Sequence, residues 1–491
     1  MQKFLESYGI LVQENIKDKN VEIDKNTITI HNSNISEINL NILDQKQINK
    51  ITITNCEINY IYFAGDNNIE LFFTDCVFKN QIIAIAVIFN KEVIFSRCIF
   101  EKRINFTYAI FNSYVDLTET MFKNEVRFIM TQFLADQTTA GIIENNFSEA
   151  VFKDKVSFAM VKFKARVSFN MTHFEGKARF IDTSFFKNTV IFSEVEFNNI
   201  KFISDKKLNE TNSNNIVDQI YHFQDTTFKG IVNFENTYIK DLNFKNVIFN
   251  NIVVFDNAAL YNKPKFINCT FSNQFNIKQE HIQYNFKDIN KSSNNLINLP
   301  NLENTNKDDD FTKPSNLRDL FRKLKSNRIA HHNLIDASEL RTQEPYAREL
   351  ELKHKKNKKL KETIKQYQLF FYRKLCDHHT DLVLNAKWLI FTIALYILLI
   401  GKIWYIYPVA LISFFIIDVF FKTKNTSIII SSIIIFITLC NQPKMILAIP
   451  NLLSNDFNWW QNLITSIYII VFGLIIFSLQ KTARKNTIIP N

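Results

Sequence analysis

The sequence of 491 residues predicts a β-solenoid, followed by a basic helical neck and a transmembrane helical region. Three observations support this prediction. Phenylalanine recurs at short regular steps through most of the first 280 positions, a Lys/Arg-rich segment follows, and long apolar runs dominate the C-terminal part. A fixed period over such a length indicates a repeat architecture, in which each repeat buries its apolar face against its neighbours.

The phenylalanine series has a true period of eleven residues, because its steps alternate between five and six. Neither the helical period of 3.6 nor the strand period of 2 keeps such a series on one face. A chain that forms one flat side per repeat and turns a corner between sides does keep the whole series on the inner face. The predicted core ladder consists of Phe95, Phe100, Phe106, Phe111, Phe122, Phe128, Phe133, Phe147, Phe152, Phe158, Phe163, Phe169, Phe174, Phe180, Phe185, Phe228, Phe234, Phe244, Phe249, Phe255, Phe266 and Phe271.

A small or β-branched residue stands two positions before most of these rings, as Val93 does before Phe95 and Cys98 before Phe100. Residues two apart in extended chain point to the same face. Each side of the solenoid therefore sends one large and one small side chain inward, while Lys, Glu, Asn and Arg fill the positions between them.

This pattern resembles the pentapeptide-repeat family, whose five-residue unit has a large apolar residue at its centre and a small one two places earlier. The resemblance covers about residues 28–275. It implies an all-β, right-handed, quadrilateral β-helix with one repeat per side and roughly twenty residues per coil. This chain departs from the family by adding one residue to every second side. Its length predicts about eleven coils.

The resemblance extends beyond the repeats. The segment FRKLK at 321–325, Asn333, Asp336, Glu344 and the run DHHTDL at 377–382 are similar to the C-terminal module of bacterial membrane proteins that carry pentapeptide repeats. Some of those relatives end in an ion-channel-like unit. This similarity implies a membrane-anchored protein with a channel-like transmembrane region.

Three cysteines, Cys56, Cys76 and Cys98, occupy the small inward position and would stack in one column of a four-sided coil. Stacked thiols can form a metal or disulfide site. Small buried side chains are the favoured interpretation, because Thr and Val fill the same position elsewhere. We expect reduced thiols in a cytosolic setting.

The predicted organisation has six parts. They are an N-terminal cap (1–20), the solenoid (21–284), a disordered linker (285–314), the neck (315–382), the transmembrane region (383–481) and a cytoplasmic tail (482–491). Two insertions, at 134–146 and 204–221, interrupt the ladder. Because a span needs about twenty apolar residues, four transmembrane helices are predicted at about 383–401, 403–421, 426–441 and 462–479.

The positive charge is concentrated in the neck. Residues 316–376 contain 16 Lys and Arg against 7 Asp and Glu, whereas residues 21–280 contain 27 against 29. Lys and Arg also flank the predicted spans on one side of the membrane, which places both termini in the cytoplasm. A composition rich in Asn, Ile, Lys and Phe suits a bacterium, so we expect a multi-pass protein of the bacterial inner membrane.

Two clusters are candidate sites. His378, His379 and Asp381 are candidate metal ligands, but a polar collar at the membrane surface is the favoured interpretation of this cluster. The second is a basic cluster expected to face anionic lipid, with a topology signal or nucleic-acid binding as alternatives. It comprises Lys353, Lys355, Lys356, Lys358, Lys359 and Lys361.

The sequence predicts no enzyme and no cofactor. It contains no nucleophile with a partnered base, and only 7 glycines, which disfavours a phosphate-binding loop. The predicted function is that of a non-enzymatic membrane protein that presents its solenoid as an interaction platform. The alternative is an ion channel or transporter regulated by the solenoid, with Asp418 or the segment 441–462 contributing to a pore.

The expected partners are the lipid bilayer and a protein bound by the solenoid, with homo-oligomers left open. Nucleic acid is not favoured, because no aromatic platform interleaves the charge. Mimicry of DNA, known among pentapeptide-repeat proteins, requires an acidic surface that the balance of 27 to 29 does not provide.

Overall fold

The computed structural model contains a β-solenoid of about ten turns followed by a helical region. It describes residues 2–13, 18–63, 65–135, 144–204, 219–284, 286–287, 289–290, 313–355, 357–400, 406–421, 426–441, 446 and 458–486. The chain forms two compact units, a solenoid unit (Met1–Asn285 with Leu296–His332) and a helical unit (Phe286–Asn295 with Asn333–Asn491). Most of the linker predicted at 285–314 lies outside the described residues.

The solenoid is built from 38 short strands among the described residues. Strands β1–β19 span, in order, Ile10–Val12, Val21–Asp24, Thr27–His31, Asn34–Asn39, Lys50–Thr54, Glu57–Tyr62, Asp66–Asn67, Glu70–Thr74, Val77–Phe78, Ile82–Ile83, Ile88–Phe89, Val93–Ser96, Ile99–Phe100, Ile104–Asn105, Ile110–Phe111, Val115–Asp116, Met121–Phe122, Val126–Arg127 and Gln132–Phe133. Strands β20–β27 span Glu144–Asn146, Val151–Phe152, Val156–Ser157, Lys162–Phe163, Arg166–Ser168, His173–Ile181, Thr189–Ser193 and Glu196–Ile203. Strands β28–β38 span Ile220–Gln224, Thr227–Phe228, Val232–Asn233, Tyr238–Ile239, Asp241–Lys245, Ile248–Phe249, Val253–Val254, Ala259–Leu260, Lys265–Ile267, Thr270–Phe271 and Phe275–Asn276.

The strands pair in parallel from coil to coil, and their register gives the coil length. Val93 pairs with Val115, so one regular coil contains 22 residues. That is twice the eleven-residue period of the sequence. The spacing lengthens where the two insertions lie, as between Met121 and its partner Val151. Residues 136–143 and 205–218 of these insertions are outside the described part of the chain.

The five-residue and six-residue steps between successive ladder phenylalanines have different backbone turns. In each regular five-residue step the residue before the small inward side chain has a left-handed backbone, as in Arg97 (φ 52°), Tyr108 (φ 61°) and Glu119 (φ 56°). The N–H of the following small residue donates to the carbonyl three positions back, as Ala109 does to Phe106 at 2.9 Å. This is the geometry of a turn with a positive φ at its third position. The six-residue steps of the ladder contain no such residue.

The core of the solenoid is a set of stacked phenylalanine columns. Phe100 stacks on Phe78 at 4.6 Å and on Phe122 at 5.2 Å, with interplanar angles of 13° and 4°. Rings of neighbouring columns meet edge to face, as Phe95 and Phe100 do at 5.3 Å. Both arrangements are favourable for aromatic pairs. All ladder residues are buried except Phe271, which is half-buried near the end of the solenoid.

The small inward position also carries hydrogen bonds between coils. Thr131 and Thr172 donate to the carbonyls of Phe106 and Phe147 at 2.7 and 2.8 Å. The Cys98 thiol donates to the Phe73 carbonyl at 3.4 Å. Thr and Cys are therefore interchangeable with Val and Ala here, because their polar atoms are satisfied by the coil before. The six cysteines are free thiols.

Antiparallel and helical elements close both ends of the solenoid. At the start, α1 (Gln2–Ser7) leads into β1, which pairs antiparallel with β4 and buries Ile10. Two further short helices are α2 (Leu40–Gln45) and α3 (Gln279–Ile282), and single helical turns lie at Asp18–Asn20 and Phe186–Asn188. At the end, α4 (Pro314–Ala330) packs its buried Leu320, Phe321 and Leu324 on the last coil.

Helix α4 also satisfies backbone groups that the last coil leaves without a following coil. The Asn327 amide donates to the Asn273 carbonyl at 2.7 Å, and Lys323 donates to the Cys269 carbonyl at 3.0 Å. A cap of this kind protects an open sheet edge. The neck predicted over 315–382 is therefore divided, with α4 in the solenoid unit and the remainder in the helical unit.

The helical unit contains six long helices within the described part of the chain. They are α5 (Leu334–His354), α6 (Leu360–Cys376), α7 (Leu382–Ile400), α8 (Ile406–Phe421), α9 (Thr426–Asn441) and α10 (Trp459–Asn486). Helix α7 packs against α6, α8, α9 and α10 and is the centre of the unit.

Candidate functional site

Among the described residues of the helical unit, two helices are long and apolar enough to cross a membrane, α7 and the Trp459–Arg484 part of α10. At 1.5 Å per residue, their 19 and 26 residues reach about 28 and 39 Å, against a hydrocarbon core of about 30 Å. Helices α8 and α9 have 16 residues each, about 24 Å, and fall short of that thickness. Within the described residues, two of the four predicted spans therefore qualify by length and composition, and four spans are not confirmed.

Helix α10 exposes its apolar side chains and buries polar ones. Only 22% of its most apolar stretch is buried, and Ile470 and Phe477 are 63% and 59% exposed. The buried positions include Thr465, Ser478 and Thr482. Core helices of soluble proteins show the opposite arrangement, whereas small and polar residues are typical of contacts between membrane helices.

The contact between α7 and α10 joins rings and hydroxyls. Tyr396 stacks on Tyr468 with centroids 3.9 Å apart, and its hydroxyl lies 3.3 Å from the Thr465 hydroxyl. Further along the same contact, the buried Asn385 amide donates to the Ser478 hydroxyl at 3.0 Å. These bonds fix the rotation of one helix against the other.

The predicted metal candidates lie in a left-handed turn between α6 and α7. Asp377, His378 and His379 have φ values of 46°, 56° and 67°, a conformation that costs side-chain-bearing residues about 1–2 kcal/mol each. Tyr346 on α5 donates its hydroxyl proton to the Asp377 carboxylate. Burial raises the pKa of Asp377, and the Tyr346 hydrogen bond partly offsets that increase.

The turn does not assemble a metal site. His379 Nδ1 lies 3.4 Å from Cys376 Sγ and 3.3 Å from Ser478 Oγ, while the His378 ring packs against Tyr346 at 5.4 Å. Asp381 is exposed and accepts the Leu384 N–H at 2.8 Å, which makes it the N-terminal cap of α7. Within the described ranges, no group of three His, Cys, Asp or Glu side chains is arranged to hold a metal ion.

The predicted basic cluster lies at the junction of α5 and α6, and part of it is engaged in local contacts. Lys358 donates to Gln366 at 2.8 Å and Lys353 to Asn290 at 3.2 Å, while Lys355 pairs with Glu362. Lys359 and Lys361 are exposed. Lys356 falls outside the described residues. Some lysines of the cluster therefore stabilise the junction of α5 and α6, and others place their charge on the surface.

A second set of charges, which the sequence analysis did not single out as a site, lies on the other end of α6. Arg373 forms a two-point ion pair with the buried Glu349 of α5, with both N–O distances at 2.8 Å. The Phe286 ring covers the guanidinium at 3.7 Å. The neighbouring Lys374 is half-buried. Burial lowers the pKa of Lys374, the positive charge of Arg373 adds to that decrease, and the negative charge of Glu349 partly offsets it.

A groove opens beside Lys374 between α6, α7, α8 and α10, with a volume of about 760 Å³. We call it the aromatic groove because rings form much of its wall: Phe370, Phe371, Trp388, Phe391, Tyr396 and Phe415. The Trp388 Nε1–H donates to the Lys374 carbonyl at 3.0 Å and so ties the start of α7 to the end of α6. Because its lining residues come from four separate helices, no single run of the sequence indicates this groove.

The outer surface of the solenoid carries both paired charges and an apolar stripe. Glu57, Lys79, Glu101 and Lys123 form a continuous chain of ion pairs across four coils, with successive N–O distances of 3.3, 3.8 and 3.4 Å.

On another edge of the solenoid, Tyr108 and Met160 are 54% and 42% exposed at equivalent left-handed turns. Exposed Tyr and Met are enriched at protein interfaces.

Comparison with known proteins gives no relative for this chain: no family model matches it, and neither a curated protein nor a solved structure is significantly similar.

Proposed function

We propose that this chain is a non-enzymatic integral membrane protein that displays its β-solenoid as an interaction platform. The observation that carries the proposal is α10, a helix long enough to span a bilayer that exposes most of its apolar stretch and buries its polar side chains. In water this arrangement would expose a large apolar surface, which soluble proteins avoid. In a bilayer it is the stable one.

The proposal includes the finer architecture. Four separate columns of stacked rings, which contain Phe73, Phe78, Phe89 and Phe106, support a four-sided coil of the pentapeptide-repeat type. Helices α8 and α9 would complete four spans if they continue into the neighbouring residues. The excess of Lys and Arg before α7 and in the last turns of α10 supports cytoplasmic termini in a bacterial inner membrane.

The proposed platform is the exposed edge that contains Tyr108, Met130 and Met160. The Tyr108 and Met130 N–H groups donate to carbonyls of the next coil at 2.9 and 2.8 Å, so the stripe has a rigid backbone. A row of Tyr and Met on an ordered backbone suits a protein partner, because little backbone order has to be gained on binding and Met side chains adapt to the surface they meet. A homo-oligomer formed through this edge is one form that the partner can take.

The experiment has a membrane step and a partner step. The full chain is expected to stay with the membrane after carbonate extraction and to retain a defined partner after cross-linking. Tyr108→Glu with Met160→Glu should abolish that partner, while Tyr261→Glu, which changes an 83% exposed tyrosine outside the stripe, should not. Extraction by carbonate would refute the membrane proposal, and an unchanged partner in the double variant would refute the platform.

The channel alternative is tested by ion flux in vesicles reconstituted with the full chain and with the solenoid deleted. We expect no flux from either. The Asp418 side chain and most of residues 441–462 lie outside the described part of the structure. Flux from the solenoid-deleted protein alone would favour a regulated channel.

A further inference from the structure

Helix α6 carries a row of apolar side chains that the rest of the chain leaves uncovered. The members follow one another at steps of four, three and four residues, which keeps them on one face of the helix. We call the row the α6 stripe; it consists of Leu360, Ile364, Tyr367 and Phe371. These side chains are 78%, 60%, 67% and 47% exposed. A helix on the surface of a soluble domain turns such a face inward.

Positive charge borders the α6 stripe. Lys361 and Lys365 are exposed, and each follows a stripe residue by one position, so both lie on the same side of the stripe. The single acidic residue of α6, Glu362, lies on the opposite face and pairs with Lys355. An exposed apolar row with lysines beside it is the arrangement of helices that lie in the interface of an anionic membrane.

The stripe is continuous with the apolar surface of the candidate spans. Phe371 belongs to the stripe and also lines the aromatic groove, whose other walls include α7 and α10. The end of α6 is fixed beside these helices, because Leu375 and Cys376 form a buried cluster with Ile475 of α10. Under the proposed function, lipid surrounds α7 and α10, so the α6 stripe begins where the bilayer is.

We propose that α6 lies in the interface of an anionic bilayer, with the α6 stripe against the acyl chains and Lys361 and Lys365 among the headgroup phosphates. The inference rests on the proposed membrane function and adds a second contact with the bilayer to it. Lysines can keep their charge at the headgroups while their methylene stems cover apolar surface. The 17 residues of α6 extend this contact over about 25 Å.

The test measures the depth of spin labels on α6 in the full-length protein. The exposed Cys440 is replaced by Ser, and the other five cysteines are buried. A nitroxide is attached to Tyr367→Cys in the stripe or, as the matched control, to Gln368→Cys, its exposed neighbour outside the stripe. The protein is reconstituted in vesicles of equal parts phosphatidylcholine and phosphatidylglycerol. Collisions with oxygen, which concentrates in hydrocarbon, are compared with collisions with a water-soluble nickel complex.

We expect the label at position 367 to lie about 5–10 Å inside the headgroup boundary and to favour oxygen. The label at position 368 should favour the nickel complex. Lys361→Gln with Lys365→Gln should lower the ratio of immersed to aqueous label at position 367 about fivefold for each lysine removed. Lys361→Arg with Lys365→Arg should retain that ratio. In vesicles of phosphatidylcholine alone, the Gln substitutions should have little effect, because the anionic headgroups are absent.

The outcomes separate the two proposals. Release of the full chain by carbonate refutes the membrane function, and the interfacial placement of α6 with it. Retention with equal nickel access at positions 367 and 368 refutes the interfacial placement alone. A label at position 367 that neither reagent reaches also refutes it, because protein then covers the stripe, and dipolar broadening would identify that protein as a second copy. Immersion that is unchanged in the Lys→Gln variant refutes the role of the two lysines.

Discussion

Truncation of a single ladder ring, Phe100→Ala, tests how the solenoid is stabilised. Phe100 is 2% exposed, stacks on two rings and meets Phe95 edge to face. Burial of the ring contributes on the order of 2–3 kcal/mol, and each stacked partner adds roughly 0.5–1 kcal/mol. We expect the variant to lose about 3–5 kcal/mol, as is typical when a buried Phe is cut to Ala.

The location of this loss is as informative as its size. Each coil contacts only its neighbours, so stability is close to a sum of nearest-neighbour terms. The effect should therefore remain near the coil that contains Phe100. Two buried thiols report on this, Cys98 beside the substitution and Cys269 near the far end of the solenoid.

The assay is pulsed alkylation of the full-length protein, read out by mass spectrometry. Burial raises the pKa of the Cys98 thiol, and it raises the pKa of Cys269 to about 12, so both react only when their coils open. A loss of 4 kcal/mol increases the open population about 10³-fold. We expect an increase of that order at Cys98 and little change at Cys269.

The control is Ile83→Ala, which removes apolar atoms from a side chain that is 53% exposed. It should change neither rate more than a fewfold. Equal acceleration at Cys98 and Cys269 in Phe100→Ala would refute the nearest-neighbour account, because it would show that the solenoid opens as one unit. An unchanged rate at Cys98 would refute the contribution assigned to the ring stack.

Two further predictions concern the left-handed turns and the buried ion pair. Met171 has φ 55° and is 38% exposed. Because Asn tolerates a left-handed backbone and Val does not, Met171→Asn should raise the free energy of unfolding by up to about 1 kcal/mol, and Met171→Val should lower it by about 1–2 kcal/mol. Urea titrations followed by circular dichroism measure both changes. Glu349→Gln breaks the buried ion pair between Glu349 and Arg373, which should lower the stability of the helical unit by about 3–5 kcal/mol. Alkylation of the buried Cys376 should therefore become faster. Glu351→Gln, whose partner Arg348 is more exposed, should cost under about 1 kcal/mol, and equal effects of the two Glu variants would contradict the burial argument.

The repeat region was predictable because its signal is redundant. More than twenty rings follow one rule, and a side chain that is large, apolar and regularly spaced has to be buried. The turn geometry was less visible. Left-handed positions are held by Asn in the first coils (Asn32, Asn55) and the last ones (Asn246, Asn257, Asn268). In the middle coils residues such as Arg97, Tyr108 and Met171 hold them, so the Asn signature of such turns is missing there.

The division of the neck could not be predicted from the sequence, because local composition does not show where a helix packs. Helix α4 and helix α5 are both amphipathic and charged, yet Phe321 and Asn327 of α4 face the last solenoid coil while Tyr346 of α5 faces the helical unit. The aromatic groove escaped prediction for the same reason. Phe370, Trp388 and Phe415 come from three helices, and only their packing brings them together.

The histidine pair shows why adjacent polar residues before a span need not indicate a site. Three consecutive left-handed residues cost about 3–6 kcal/mol in all, so the turn persists only if contacts over-determine it. Tyr346 holds Asp377 and Ser478 holds His379, and each of these contacts joins the turn to a different helix. The polar side chains of the segment DHHTDL thus set the direction in which the chain leaves α6 and enters α7. The Trp388 Nε1–H of α7 donates to the Lys374 carbonyl of α6 across this turn at 3.0 Å, so a further contact holds the two helices together where the backbone is strained.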